Sequence, residues 1–197
     1  MLKAVFFDLD NTLIDRDAAF RECIQSRFDD VAVRAELFRL DHGGRGDRET
    51  LFSYWSQHTG APMNQEKFAQ MLAEQIKPDA ELLDALRRLT KILKLGIITN
   101  GGGESQRRKY RAAGLSDVIP ESCVWVSAEV GVAKPDPAIF RLACWVFGAL
   151  PGECLFLGDD EHNDIAGAIG AGMKARRVDS VLDAGRLVQL LSEEEFR

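Results

Sequence analysis

The chain has 197 residues, of which 46% are hydrophobic and 28% are charged, so it can bury a core as one domain with an insertion or as two small domains. Its net charge of −6 argues against a nucleic-acid-binding surface, because phosphate backbones favour clustered lysine and arginine. The densest basic group is predicted to be a solvated helix face rather than a contact for an anionic substrate, and it comprises Arg107, Arg108, Lys109 and Arg111.

The four cysteines have no paired spacing, which favours buried, reduced thiols in a cytoplasmic protein over disulfides or a zinc site. No apolar run approaches the roughly 20 residues that span a bilayer, so no membrane association is expected. The first predicted strand, residues 4–7, belongs to an N-terminus with early acids and no signal-peptide cleavage site. The sequence leaves the oligomeric state open.

Four more apolar runs follow the first strand, each ahead of turn or helix residues, at positions 95–98, 123–126, 154–157 and 175–178. Near-continuous apolar strands are typical of a parallel sheet covered on both faces. Helical patterns separate the later runs, and one of them starts with Asp136 as a cap and Pro137 at the first helical position. This alternation predicts an open α/β fold.

The stretch between the first two strands contains amphipathic patterns but no convincing strand. It predicts an α-helical cap over residues 16–78, inserted into a core formed by residues 1–15 and 79–197. The glycine-rich segment 41–47 is expected to be a mobile connection within the cap. Arg45 and Arg48 lie beside these glycines and are more simply exposed loop arginines than a clamp for a substrate anion.

Polar residues follow the predicted strands. Asp8 comes directly after the first strand, Thr99 after the second, Lys134 after the third, and Asp159 and Asp160 after the fourth. The carboxyl ends of parallel strands meet at one edge of a sheet, where open α/β folds bind ligands. The sequence therefore predicts one crevice that contains several acids, a hydroxyl group and a lysine.

Clustered carboxylates repel one another and need a cation to stay ionised, and oxygen ligands with a phosphate nearby suit Mg²⁺. Asp8 could then attack phosphorus as a nucleophile. Asp10 could protonate the leaving group and later activate water, which requires Asp8 to be ionised and Asp10 to carry a proton. The backbone N–H groups of Asn100 and Gly101 could hold phosphate oxygens at the start of a helix.

Four segments of the chain resemble, in the same order, the motifs of the haloacid dehalogenase-like hydrolase superfamily. They are residues 7–13 (FDLDNTL), 97–101 (IITNG), 134–137 (KPDP) and 158–164 (GDDEHND). Each motif follows a predicted strand, and four motifs in order are far more specific than one.

The resemblance implies a Rossmann-like core with the first strand at its centre, and a helical cap inserted after the first motif. It also implies that Asp8 is the nucleophile, that Asp10 is the general acid and base, and that Thr99 and Lys134 bind phosphate.

The resemblance further implies a Mg²⁺ ion held by Asp8, the backbone carbonyl of Asp10, and Asp159, with Asp164 supporting its waters. Asp160 stands where many relatives have a small residue, so either Asp159 or Asp160 could be the direct ligand. Asp164 could instead simply cap the helix that follows it.

The favoured function is magnesium-dependent hydrolysis of a small phosphomonoester through an aspartyl-phosphate on Asp8. A cap of about sixty residues can close over a metabolite but not over a folded macromolecule. A phosphosugar mutase of the same superfamily is the main alternative. The acid at Asp10 argues against a dehalogenase, and the predicted cap argues against a signalling receiver.

Overall fold

The computed structural model describes residues 1–192, within which five parallel strands form one sheet in the order β3-β2-β1-β4-β5. The strands are β1 (Ala4–Phe7), β2 (Lys94–Thr99), β3 (Val124–Val126), β4 (Cys154–Gly158) and β5 (Lys174–Arg177). The predicted α/β, Rossmann-like fold with the first strand at its centre is confirmed, and the strand positions agree to within about two residues.

Strand β1 has apolar side chains on both faces because each face packs against a separate part of the core. Val5 and Phe7 belong to one buried cluster, whereas Ala4 and Phe6 belong to the other. All four side chains are fully buried, and each buried phenylalanine contributes about 1.5–3 kcal/mol relative to an exposed one. This two-sided burial keeps the central strand, and the residue that follows it, in a fixed position.

The register of the sheet brings the ends of the three central strands to the same level. Phe7 of β1 pairs with Ile97 of β2 and with Leu157 of β4. The next backbone group, the N–H of Asp8, donates to the carbonyl of Leu157 at 2.8 Å. Asp8 therefore leaves the sheet beside the ends of both neighbouring strands.

Helices connect the strands. Within the described residues, the α-helices are α1 (Arg16–Gln25), α2 (Val31–Asp41), α3 (Arg48–Thr59), α4 (Gln65–Gln75), α5 (Ala80–Leu89), α6 (Gly103–Ala112), α7 (Ser127–Val130), α8 (Pro137–Val146), α9 (Gly167–Ala171) and α10 (Ala184–Ser192). Helix α8 begins as predicted, with Pro137 at its start and the Asp136 carboxylate accepting the N–H of Ala138 at 2.9 Å. In the described part of the chain, no helix has both the length and the apolar character of a membrane span.

Helices α1 to α4 lie between β1 and α5 in the chain, within the segment predicted as a cap. Phe20 of α1 and Phe68 of α4 contact each other edge to face, with ring centroids 5.8 Å apart. Aromatic pairs of this geometry add about 0.5–1.5 kcal/mol beyond the area that they bury. The division into a core and a cap at residues 16–78 remains a prediction.

The glycine-rich segment 41–47, expected to be a mobile connection, contains a short 3-10 helix at His42–Gly44. Asp41 is buried and accepts hydrogen bonds from Arg16 and Arg48. A Cβ atom on Gly46 would lie 1.7 Å from the carbonyl oxygen of Leu40, so only glycine allows this close backbone contact. The glycines therefore serve a packed turn that holds two arginines.

Candidate active site

A cavity of about 330 Å³ lies at the carboxyl edge of the sheet. The residues predicted from sequence to form the site all line it, namely Asp8, Asp10, Thr99, Asn100, Gly101, Lys134, Asp159 and Asp164. The cavity is also lined by Gly43, Gly44 and Arg45 from the glycine-rich segment. The strand ends and this segment thus enclose one polar site.

Three carboxylates in the cavity lie close enough together to share a cation. Asp8, Asp159 and Asp164 each offer an oxygen atom, and these atoms lie within 4.8 Å of one another. Asp160 is engaged elsewhere: its carboxylate accepts the N–H groups of His162 and Asn163 and pairs with Arg45. The geometry therefore favours Asp159 over Asp160 as the cation ligand.

Lys134 lies between two of these carboxylates. Its Nζ atom is 2.6 Å from Oδ1 of Asp8 and 2.6 Å from Oδ1 of Asp164. Burial disfavours its charge, but the two carboxylates outweigh that effect and hold its pKa above the ordinary value. The backbone of Lys134 is also fixed, because the side chain of Asn100 donates to its carbonyl at 2.8 Å and accepts its N–H at 2.9 Å.

Asp164 lies inside a short π-helix, Glu161–Ala166, and does not cap it. The cap is Asp160, whereas Oδ2 of Asp164 accepts the backbone N–H of Asp160 at 3.1 Å. A Cβ atom on Gly158 would lie 2.3 Å from Oδ2 of Asp164, so the carboxylate occupies space that only glycine leaves open. The glycine of the fourth motif therefore allows Asp164 to reach Lys134.

We expect Gly158→Ala to displace the Asp164 carboxylate and to lower kcat/KM for phosphate release by about 100-fold, a typical effect of losing a partner just outside a metal's own ligands. The new methyl group would also lie 2.7 Å from the Cβ atom of Asp164, so the backbone near Asp164 has to shift as well, and the folded state of the variant has to be checked. Phosphate-release kinetics, with circular dichroism as the control for folding, measure both effects. Wild-type kinetics in the folded variant would contradict this account of Gly158.

The roles expected from sequence require Asp8 to be ionised and Asp10 to carry a proton, whereas the surroundings shift the pKa of Asp8 upward and the pKa of Asp10 downward. Burial, aided by Asp164 and Asp10, raises the pKa of Asp8 to about 7 despite the charge of Lys134. Burial also opposes ionisation of Asp10, but the charge and hydrogen bonds of Lys109 outweigh it, so the pKa of Asp10 lies below its ordinary value. Asp8 shares its lysine with Asp164, whereas Asp10 is stabilised by Lys109 together with Arg16 and Gln106.

Lys109 is a site residue that the sequence analysis missed. The prediction of a solvated face is wrong for this lysine, which is 4% exposed and donates to Oδ1 of Asp10 at 2.6 Å. Gln106, one turn earlier on α6, donates to Oδ2 of Asp10 at 3.1 Å and to Oγ1 of Thr99 at 2.6 Å. Three residues of α6 are buried and lie on one inward helix face, namely Gln106, Lys109 and Tyr110. Their i, i+3, i+4 spacing is the sequence pattern that could have predicted this face.

The predicted phosphate-binding residues also have partners within the protein. Thr99 is 1% exposed and its hydroxyl accepts from Gln106. The Gly101 N–H donates to the hydroxyl of Ser127 at 3.0 Å, and Gly101 has a φ of 140°, in the region that favours glycine. These bonds orient the polar groups at the end of β2 around the cavity.

Comparisons with known proteins agree with this fold and site. The family model described as haloacid dehalogenase-like hydrolase matches residues 2–172. The human N-acylneuraminate-9-phosphatase is 31% identical over 210 residues, covering 88% of this chain and 81% of that protein. A glyceraldehyde 3-phosphate phosphatase from Methanopyrus kandleri is 30% identical over 200 residues, covering 90% of this chain and 84% of that protein.

Solved structures show the same fold. The HAD phosphatase from Thermococcus onnurineus has a TM-score of 0.69 at 22% identity, covering 98% of this chain and 100% of that one. The HAD-hydrolase YfnB from Bacillus subtilis, solved with bound magnesium, has a TM-score of 0.69 at 21% identity, covering 98% and 99%. The matched length and the similarity to these relatives establish that the chain belongs to the haloacid dehalogenase-like hydrolase family.

Proposed function

We propose that this hydrolase is a magnesium-dependent phosphatase that cleaves small phosphomonoesters through an aspartyl-phosphate on Asp8. The observation that carries the proposal is the cluster of Asp8, Asp159 and Asp164 at the end of the central strands, with Lys134 between two of its members. The relatives named above are phosphatases whose names specify small phosphorylated metabolites, which supports the same substrate class here.

The donor set suits a magnesium ion. Asp8, Asp159 and Asp164 offer only oxygen atoms, which hard divalent cations prefer, and one lysine does not balance three carboxylates. Asp8, Asp159 and the backbone carbonyl of Asp10 would hold the ion, and Asp164 would support its bound waters. Bound there, Mg²⁺ would offset the charge of the substrate phosphate and favour the ionised form of Asp8.

In the first half of the reaction, an oxygen of Asp8 attacks phosphorus and the bond from phosphorus to the leaving oxygen breaks. Asp10 donates a proton to that oxygen, so the alcohol leaves as a neutral molecule. In the second half, Asp10 takes a proton from water as the water attacks phosphorus. The bond between phosphorus and Asp8 then breaks, which releases inorganic phosphate and restores the Asp8 carboxylate.

The other site residues would bind the substrate phosphate and hold Asp10 in position. The hydroxyl of Thr99, the ammonium of Lys134 and the N–H group of Asn100 would hold the phosphate oxygens. The N–H of Gly101, also predicted to bind phosphate, instead donates to the hydroxyl of Ser127 in this structure. Lys109 and Gln106 hold the carboxylate of Asp10 in place beside the cavity. Lys109 lowers the pKa of Asp10 and so favours the ionised form, which takes the proton from water in the second half of the reaction. The proton that Asp10 donates in the first half would be taken up when substrate binds, from the monoanionic phosphate ester or from water.

The direct test is release of inorganic phosphate from a panel of phosphorylated metabolites with Mg²⁺ present. We expect steady turnover without any activating bisphosphate. Turnover only in the presence of such a bisphosphate would instead identify a mutase, and stoichiometric labelling by acetyl phosphate without release would identify a receiver.

We expect Asp10→Asn to slow hydrolysis of alkyl phosphates by roughly 10²–10⁴-fold, the usual contribution of a general acid or base. Aryl phosphates should lose less in the phosphorylation step, because a phenolate leaves readily without a proton. Pre-steady-state rates on matched alkyl and aryl esters separate that step from release. Equal losses of the phosphorylation rate on both ester types would contradict the acid role.

A further inference from the structure

A second cavity, of about 360 Å³, adjoins the first. The two cavities share Asp10, Gly44, Asn100 and Gly101 as common lining residues. One wall of the second cavity comes from helices α1, α3 and α4 together with Gly44 and Gly46, and the other comes from α6 and the residues before it. A molecule could therefore extend from the first cavity into the second past Asp10.

The proposed function, on which this inference rests, gives the second cavity a use. Asp8 and Lys134 line only the first cavity, so the phosphate would lie there. Asp10 has to touch the leaving oxygen in order to protonate it. The leaving group, attached to that oxygen, would then extend into the cavity on the other side of Asp10.

The lining of the second cavity is rich in hydrogen-bond donors and positive charge. Its charged side chains are Arg16, Arg48 and Lys109, with Asp10 as the one acid among the described lining residues. Lys109 pairs with Asp10, and Arg16 is almost fully buried against Asp41 and Asp17. Arg48 also pairs with Asp41, but its side chain is 29% exposed, so among these cations it is the one that a ligand can reach.

Arg48 is held in place while part of it stays accessible. Its Nη1 donates to Oδ1 of Asp41 at 2.8 Å and its Nη2 to the carbonyl of Gly44 at 2.7 Å. The guanidinium also lies over the ring of Phe68, 5.1 Å from its centroid, and its side chain is 29% exposed. A guanidinium has five N–H groups, so these two bonds leave donors for an anion. The sequence-based interpretation of Arg48 as an exposed loop arginine is therefore wrong.

We propose that the second cavity binds the leaving group of substrates that carry a carboxylate, and that Arg48 holds this carboxylate. Arg48 and Arg16 share the single carboxylate of Asp41, and Asp17 pairs with Arg16 alone, so the charge of Arg48 is offset only by a carboxylate that it shares. A single negative charge fits this balance better than the two charges of a second phosphate. A fixed guanidinium fork also matches the planar geometry of a carboxylate.

Two substrates that differ mainly in the carboxylate test the proposal, namely 3-phosphoglycerate and glycerol 3-phosphate. For the wild-type enzyme we expect kcat/KM to be roughly tenfold or more higher for 3-phosphoglycerate, because a site built around a polar group discriminates against its absence. Arg48→Gln should remove most of this preference, mainly by raising KM for 3-phosphoglycerate. Arg48→Lys should retain an intermediate preference, because it keeps the charge but loses the fork.

The matched control is Arg39→Gln, which removes an exposed arginine paired with Glu36 on α2 and should leave the preference unchanged. The proposal would be overturned if the wild-type enzyme had nearly equal kcat/KM for 3-phosphoglycerate and glycerol 3-phosphate. It would also be overturned if folded Arg48→Gln kept the wild-type ratio of these two values. A preference for fructose 1,6-bisphosphate over fructose 6-phosphate, without one for 3-phosphoglycerate, would also overturn it.

Inhibition of the wild-type enzyme gives a readout that does not depend on whether the variants fold. Glycerate should inhibit hydrolysis of p-nitrophenyl phosphate at concentrations at which glycerol does not. Equal inhibition by the two compounds would count against the carboxylate site. Absence of any phosphate release, even from p-nitrophenyl phosphate, would instead refute the proposed function itself.

Discussion

Asp8→Asn is expected to lower the rate of phosphate release by a factor on the order of 10⁴ or more, as removal of a catalytic nucleophile does in other enzymes. An amide nitrogen or oxygen cannot form the phosphoryl intermediate that the carboxylate forms. The replacement has nearly the same shape, and the backbone N–H of Asp8 keeps its 2.8 Å bond to Leu157. The measurement is steady-state phosphate release with Mg²⁺ at saturating substrate.

The same variant should be at least as stable as the wild type at neutral pH when no Mg²⁺ is added. Burial raises the pKa of Asp8 from 3.8 to about 7, so the folded state binds its proton more tightly than the unfolded state does. The contribution of such a group to stability therefore falls as pH rises from about 4 to about 7, and an uncharged asparagine avoids that loss. Thermal unfolding of both proteins across this pH range measures the difference.

Asp29→Asn is a suitable control for both experiments, because Asp29 is exposed and lies outside both cavities. It should leave turnover and the pH dependence of stability unchanged. Steady turnover by folded Asp8→Asn, with its mass confirming that the amide is intact, would rule out Asp8 as the nucleophile.

Asp159→Asn is expected to lower kcat/KM by at least about 100-fold at ordinary Mg²⁺ concentrations and to raise the Mg²⁺ concentration needed for half-maximal activity. Burial and the neighbouring Asp164 raise the pKa of Asp159 to about 6, which indicates that its charge is poorly compensated by the protein alone. A cation would supply that compensation. Phosphate release measured over a range of Mg²⁺ concentrations gives both quantities.

Asp160→Asn is the matched control for this experiment. Asparagine caps helices about as well as aspartate, so the cap on the following helix should survive. The lost pairing with Arg45 involves an exposed side chain and has little effect on a metal site. A larger rise in the Mg²⁺ requirement for Asp160→Asn than for Asp159→Asn would contradict the assignment, as would full activity in excess chelator.

The sheet and the residues at its carboxyl edge could be predicted from the sequence because both signals are local. Strand β1 is a run of four apolar residues, and Asp8 follows it directly. Thr99 and Asp159 likewise come at or just after the ends of β2 and β4. Parallel pairing then brings these positions together without further information.

The remaining features depend on which face of each helix packs inward and on contacts between distant parts of the chain. Lys109 pairs with a carboxylate 99 positions earlier, and its direction depends on which face of α6 packs inward. Arg48 is fixed by Asp41, which a run of glycines separates from it in the sequence. The choice between Asp159 and Asp160 likewise required the position of Arg45, because neighbouring acids look alike in a sequence.

The most direct test of the central claim is chemical trapping of the intermediate. Enzyme quenched during turnover and treated with borohydride should contain homoserine at position 8, because borohydride reduces an acyl phosphate but not a free carboxylate. The modification should require both substrate and Mg²⁺, and it should be absent from Asp8→Asn. Unmodified Asp8 in an enzyme that is turning over, or homoserine at a different aspartate, would contradict the account.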